Sequence, residues 1–215
     1  MTITAFVTGI FEENCYVVAD DATGDAAIVD PGADGDELVA AIGALGVRPR
    51  AVWLTHAHID HIGAVTEVRR AWSVPVFLHP ADLPLYRAGD RQAAAYGIAF
   101  EPPPDPDASF ADGMPLRLGG LTFEVMHAPG HAPGHVVLHG HGVAFVGDCL
   151  FAGSVGRTDL PLANGRELAR SLSRITALPA ATRVLPGHGP ETTIGRELAT
   201  NPFLGGPRPG SSLGE

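Results

Sequence analysis

Two strand-rich halves, each followed by helical segments, predict an α/β chain in which two mixed sheets pack together with helices outside. Three observations carry that expectation. Short apolar runs of strand length recur along the 215 residues. Turn residues rather than long polar linkers separate most of them. Stretches with helical spacing of apolar residues follow the strands in both halves. A layered packing of sheet on sheet and helix on sheet buries the apolar face of each such element.

The first half opens with three expected strands, Ile3–Val7, Asn14–Ala19 and Ala26–Asp30, the last two separated by the turn DDATGD. Asp34-Gly35-Asp36 can start a helix that runs through Leu45, with Gly46 as its stop. Ala51–Leu54 reads as a short buried strand, Ile62–Trp72 as a helix with Val65, Val68 and Trp72 on one face, and Val76–Leu78 as another strand. From Pro80 to about Tyr96 the chain is mostly helical, and EPPPDPDAS (101–109) then interrupts regular structure as a surface loop. In the second half, strands are expected at Leu121–Met126, Val136–His139 and Val143–Val146, the latter two forming a hairpin turned at Gly140–Gly142. Gly165–Ile175 fits a helix, Arg183–Leu185 a strand and Ile194–Thr200 a short helix. One domain over 1–203 and a flexible tail over 204–215 complete the expected organisation.

Composition narrows the function. The chain is 45% hydrophobic and 18% charged, as a globular core requires. A net charge of −10 argues against nucleic acid as a partner. All 14 basic residues are arginine, so no lysine nucleophile or clamp exists. The N-terminal stretch has no basic region, and Glu12 and Glu13 interrupt its apolar run, unlike a secretory signal. No apolar run is long enough to span a membrane. Two distant cysteines, Cys15 and Cys149, read as reduced thiols, and the expected location is the cytoplasm.

Residues 55–63, THAHIDHIG, place His56, His58, Asp60 and His61 directly after an expected buried strand. Imidazole nitrogens and carboxylate oxygens are ligands for zinc, iron or manganese. His56 and His58, two apart in an extended loop, can point the same way, while Asp60 and His61 diverge, so one segment can feed two neighbouring metals. Three more Gly/Pro-rich loops repeat the arrangement after strands: HAPGHAPGH (127–135), GDCLFAGSVGRTD (147–159) with Asp148, and LPGHGPETT (185–193) with His188. Loops held by a sheet are where sites are built.

At these four loops the sequence resembles the metallo-β-lactamase-fold hydrolases, over Ile3 to about Phe203, with the HxHxDH signature met by His56, His58, Asp60 and His61. The resemblance implies an αβ/βα sandwich with the site at the edge of its sheets. It implies a first metal held by His56, His58 and His131, a second held by Asp60, His61 and His188, and Asp148 bridging them. It is most similar to the short glyoxalase II-like proteins, hydroxyacylglutathione hydrolases without the long helical C-terminal domain, through GSVGRTDLP and PGHGPETTIGRELATNPF. The true β-lactamases of the fold lack an aspartate at the bridging position. Arg157 matches a basic residue that contacts glutathione in the family, the nearby family tyrosine is replaced by Asp159, and the chain ends about a dozen residues after Phe203, short of the glutathione-binding domain of the full-length enzymes.

The expected chemistry is thioester hydrolysis. A hydroxide held between two metals about 3.5–4 Å apart attacks the carbonyl carbon, with Asp60 orienting it. A thiolate leaves easily, its conjugate acid having a pKa of about 8.5. Tyr16, Tyr86 and Tyr96 are the only tyrosines and none lies in a metal loop, which leaves few acids for a more basic leaving group. Two divalent metals are expected, zinc first, with iron or manganese as substitutes, and the substrate is expected to be a small thioester, glutathione-derived by the resemblance. His127 and His135 flank His131 and are candidates to support it; Asp30, in VDPG, braces the metal loops by the resemblance. His79, His139 and His141 read as ordinary surface or turn residues. The alternatives are a mono-iron persulfide dioxygenase, a lactonase or phosphodiesterase of the same fold, and a metal-binding protein without turnover.

Overall fold

The computed structural model describes residues 1–205. In chain order the first half holds β1 (Thr2–Thr8), β2 (Glu13–Ala19), β3 (Asp25–Val29), α1 (Gly35–Ala44), β4 (Arg48–Trp53), α2 (Ile59–Ile62), α3 (Val65–Trp72), β5 (Val76–Leu78), α4 (Leu83–Tyr86), α5 (Gly89–Tyr96) and β6 (Ala108–Ser109). The second holds β7 (Pro115–Leu118), β8 (Leu121–His127), β9 (Val136–Gly140), β10 (Val143–Gly147), β11 (Leu150–Phe151), β12 (Ser154–Val155), α6 (Gly165–Ile175), β13 (Arg183–Pro186), β14 (Thr192–Thr193) and α7 (Ile194–Thr200). Two six-stranded mixed sheets result, in the orders β1-β2-β3-β4-β5-β6 and β14-β13-β10-β9-β8-β7.

Strand β2 shows how the layers arise. Its seven residues are all buried. Cys15, Val17 and Ala19 join a core with Leu38 and Ile42 of α1 and Val65 and Val68 of α3. Tyr16 and Val18 face the other way, into a core with Phe123, Val125, Leu138 and Phe145 of the second sheet. The two-residue side-chain period of a strand thus serves two cores, as a strand covered on both faces must. A third core forms where Leu168, Leu172 and Ile175 of α6 cover the outer face of the second sheet. The Asn164 side chain accepts from the amides of Arg166 and Glu167 and so caps α6. Helix, sheet, sheet and helix layers follow, which is the expected αβ/βα sandwich.

Some boundaries differ from the sequence expectation. The helix expected over Ile62–Trp72 begins earlier, at Ile59, and breaks at Gly63–Ala64, where Gly63 lies so close to the Gly32 carbonyl that a Cβ would collide with it. The Pro80–Tyr96 stretch is a 3-10 turn followed by two short helices. Strand β7 was not expected; it pairs antiparallel with β8, burying Leu116 and Leu118. The β9–β10 hairpin turns at Gly140–Gly142 as expected. Pro202–Leu204 forms a 3-10 turn that packs Leu204 on the third core, and the expected tail beyond 205 lies outside the described residues. Among the described residues no helix is long and apolar enough to cross a membrane.

Candidate metal centre

Loops at one edge of the sandwich bring all seven expected ligand residues together. His56 and His58 follow β4, Asp60 and His61 lie in α2, His131 lies between β8 and β9, Asp148 follows β10, and His188 follows β13. The ligand atoms of His56, His58 and His131 lie within 4.8 Å of one another, and so do those of Asp60, His61 and His188. Asp148 stands between the two groups: its carboxylate is 3.5 Å from His131 Nε2, 3.4 Å from His61 Nε2 and 3.6 Å from His188 Nε2.

Four of the imidazoles are anchored by their outer nitrogens. His61 Nδ1 lies 3.0 Å from Asp30 Oδ2, His131 Nδ1 2.9 Å from the Arg157 carbonyl, and His188 Nδ1 3.0 Å from the Phe11 carbonyl. His56 Nδ1 is 3.1 Å from Thr55 Oγ1, whose own proton goes to Asp30 Oδ2 at 2.6 Å. Each acceptor assigns the proton to Nδ1, so the lone pair of Nε2 is delivered inward. An acceptor behind each metal-binding imidazole is the pattern that fixes tautomer and orientation. His58 presents Nδ1 instead, 2.9 Å from His131 Nε2.

These residues fit a metal pair. His56 Nε2, His61 Nε2 and Asp148 Oδ1 are buried without a hydrogen-bond partner. Buried polar atoms are rarely left so, and three at one point mark a place for a cation. Gly187 leaves the space open, because a Cβ there would collide with Asp148 Oδ1 and the His61 ring. Asp30, His56 and His61 form a third close group. Asp30 is already committed to Thr55 and to the outer face of His61, so it braces the centre rather than opening another.

Charge divides the centre. Burial, reinforced by neighbouring histidines, holds His56 well below the ordinary imidazole range and His58 down to about 4. Burial also lowers His131, although Asp148 opposes it. For His61 burial acts in the same direction, but Asp148 and Asp60 outweigh it and raise the group well above its ordinary value. His188 is raised too, burial being outweighed by the hydrogen bond to Asp60 and by Asp148. Burial would raise Asp60 and Asp148, and their histidine neighbours lower both instead.

The supporting residues sort differently. His135 stacks on His56 with ring centroids 4.8 Å apart, and its Nε2 accepts from the Asp148 amide at 3.0 Å, so it lies directly against the centre. His127 does not. At the end of β8 it turns away, stacks on His79 at 4.0 Å and reaches the Pro133 carbonyl. The Arg157 guanidinium is exposed and forked onto Asp159 at 2.7 and 2.8 Å, the residue that stands where the family tyrosine is expected. Cys149 is buried, and its thiol is pushed up by burial.

Three supporting residues escaped the sequence reading. Glu13, whose only sequence signal is that it interrupts the N-terminal apolar run, is buried with one oxygen 3.8 Å from His61 Nδ1 and the other accepting from Thr8 Oγ1 at 3.0 Å. Burial raises its pKa well above the ordinary value against the pull of His61. Asp82 accepts from the amides of Ala57 at 3.0 Å and Gly134 at 2.5 Å, strapping the His56–His58 loop to the loop of His131. Its pKa is pushed up to about 6 by burial. Asn14 Nδ2 donates to the carbonyls of Pro186 and Gly189, on either side of His188.

Comparison with known proteins returns one family. The model of the metallo-beta-lactamase superfamily matches residues 8–188. Hydroxyacylglutathione hydrolase GloC of Haemophilus influenzae is 36% identical, over 95% of this chain and 98% of its own length. A probable metallo-hydrolase, YqgX of Bacillus subtilis, is 39% identical over 92% of this chain and 95% of its own. A crystal structure of TTHA1623 in a di-iron-bound form superposes with a TM-score of 0.87 at 46% identity, covering 94% of this chain and all of that one. The BLEG-1 B3 metallo-beta-lactamase gives 0.89 at 38%, covering 95% of this chain and all of that one.

Proposed function

The chain belongs to the metallo-beta-lactamase superfamily and is a metallo-hydrolase, and we propose that it hydrolyses thioesters, hydroxyacylglutathione-type thioesters first among them, with a pair of divalent metals, zinc foremost. The observation that carries this reading is the pair of ligand groups sharing Asp148. His56, His58 and His131 would hold one metal and Asp60, His61 and His188 the other. Bound there, the pair supplies Lewis acidity to the thioester carbonyl and makes water a usable nucleophile near neutral pH, its pKa falling to about 7.

The chain's own groups do the positioning. Asp60, its carboxylate 3.2 Å from His188 Nε2, is held ionised and orients the attacking water. Attack breaks the acyl carbon–sulfur bond, and the sulfur departs as a thiolate. Little acid assistance is required for that departure, because a thiol of pKa about 8.5 is a good leaving group. Two of the three tyrosines are unavailable as acids for the more basic leaving group of a lactone or amide. The Tyr16 hydroxyl donates to the Pro186 carbonyl and the Tyr86 hydroxyl to that of Pro104, so both are engaged. The GloC relative supports the glutathione ester, and the complete second ligand group supports hydrolysis over mono-iron oxygenation.

The test is steady-state hydrolysis of lactoyl-glutathione by the zinc-, iron- and manganese-loaded protein, beside the lactoyl ester of a second thiol and a cephalosporin. Preference for the glutathione ester supports the reading in full. Equal rates on both thiols keep thioester hydrolysis and remove glutathione. The cephalosporin arm answers the likeness to BLEG-1, and turnover of it alone would overturn the proposal.

A further inference from the structure

A cavity of about 300 Å³ lies between the β1–β2 turn, the loop after β3, helix α2 and the segment after α5. Ile10, Phe11, Ile59, Ile98 and Phe100 give it apolar walls. It shares two residues with the metal centre: Asp60 lines it, and so does Phe11, whose carbonyl anchors His188. We propose that this cavity receives the acyl arm of the substrate, and that the arm is an uncharged aliphatic chain. The inference rests on the thioester reading and names the acyl class that reading leaves open.

Size, walls and charge each contribute. Pockets for whole small ligands run from about 300 to 1,000 Å³, so this one, at the lower bound, suits one arm of a thioester rather than all of it. Apolar walls favour added methylene groups. The charged residues lining it are Asp34, Asp60 and Glu67, with no cation among them. Asp34 accepts from the Gly9 amide at 2.7 Å, and Glu67 lines the wall with its side chain against Gly35. A substrate carboxylate brought among three acidic residues and no basic one would lack a partner and meet like charge. The cavity therefore rejects an anionic acyl arm. It rejects the carboxylates of a glutathione arm for the same reason, which leaves that arm outside the cavity.

The walls are built to keep their shape. Gly9 has φ +63, and a Cβ there would run into the Ala33 side chain, so the turn lies flat on the loop after β3. The Gly9–Asp34 bond ties the two together. Phe11 packs edge-on against Tyr96 with ring centroids 5.0 Å apart.

The test uses glutathione thioesters of acetyl, butyryl, hexanoyl and succinyl groups with the metal-loaded protein. From acetyl to butyryl, kcat/KM rises about fourfold per methylene, the factor that burial of one such group confers. Succinyl falls at least tenfold below butyryl. Ile98→Trp, which fills the cavity, brings the butyryl-to-acetyl ratio close to one, and the near-isosteric Glu67→Gln narrows the succinyl deficit, with folding checked by circular dichroism. A second readout needs no turnover: hexanamide added to metal-free, isoleucine-methyl-labelled protein shifts the Ile59 resonance saturably, and Ile98→Trp removes the shift. A flat acyl series with an unmoved Ile59 resonance overturns the acyl placement and leaves thioester hydrolysis standing. No hydrolysis of any thioester overturns both.

Discussion

His56, His58 and His131 form one half of the centre, an all-imidazole group in which neighbouring histidines act on one another; Asp60, His61 and His188 form the other, which contains a carboxylate of its own and has Asp30 and Glu13 behind His61. Two fully buried imidazoles therefore behave oppositely, His56 being lowered and His61 raised. Those of the first half are pushed below the ordinary range, whereas His61 and His188 are raised above it. Ligand identity alone does not make two equivalent sites. Placement of carboxylates gives one half whose imidazoles hold protons less readily and another where a cation competes with protons up to higher pH.

The largest test of that division removes the group common to both halves. Asp148→Asn takes charge from His61, His131 and His188 at once. Metal content measured by plasma emission should fall to one ion or fewer per chain, and hydrolysis should drop by more than about a hundredfold, beyond the loss typical of an outer-sphere residue. Retention of two metals would show that the halves do not depend on a shared carboxylate. Asp30→Asn is the asymmetric version. An amide can still accept from the Thr55 amide, but the carboxylate behind His61 is gone. Metal affinity should fall about ten- to a hundredfold at the second half and by less at the first, where Asp30 acts on His56 only through Thr55, as read by competition with a chromophoric chelator.

Acidification separates the halves without mutation. His61 and His188 have raised pKa values, so falling pH adds protons that compete with metal there, by up to about tenfold in apparent affinity per pH unit per proton displaced. His58 stays neutral until about 4. Titration calorimetry between about pH 8 and pH 5.5 should show the weaker binding step fading first. In the metal-free protein the sign reverses: the stability that protonated His61 contributes is fully present below the unfolded imidazole pKa of about 6.5 and is lost as pH rises through the raised folded value. Loss of both binding steps together on acidification would break the comparison.

The sequence made the ligand types legible because imidazoles and carboxylates crowd into Gly/Pro loops after strands, and few other chemistries need that pattern. The strands β2, β3, β9 and β10 were legible because apolar runs and turn residues bound them. What supports the centre was far less so. Glu13 reads as an interruption of the N-terminal apolar run, and only the fold shows it behind His61. Asp82 is one acid in a helical stretch until the packing sets it between two loops. His127 sits four residues from His131 and looked like a helper, yet the strand end turns it toward His79. The break at Gly63 depends on the approach of Gly32, which no local pattern encodes. Long-range contacts, not residue types, carry that information.

Arg157 provides the smallest and most selective test, because it meets the first half through its main chain and the solvent through its side chain. Its carbonyl anchors His131 at 2.9 Å, while its guanidinium is forked onto Asp159 in the open. Exposed pairs of this kind are worth about 0–1 kcal/mol, so releasing one shifts an equilibrium by no more than about fivefold. Asp159→Asn should therefore lower KM for a glutathione thioester by about two- to fivefold, leave kcat unchanged, and weaken with added salt. Arg157→Ala should raise KM while the metal content stays at the wild-type level, since the carbonyl behind His131 is retained. A loss of metal in Arg157→Ala would mean that the guanidinium, rather than the backbone, holds the first half in place.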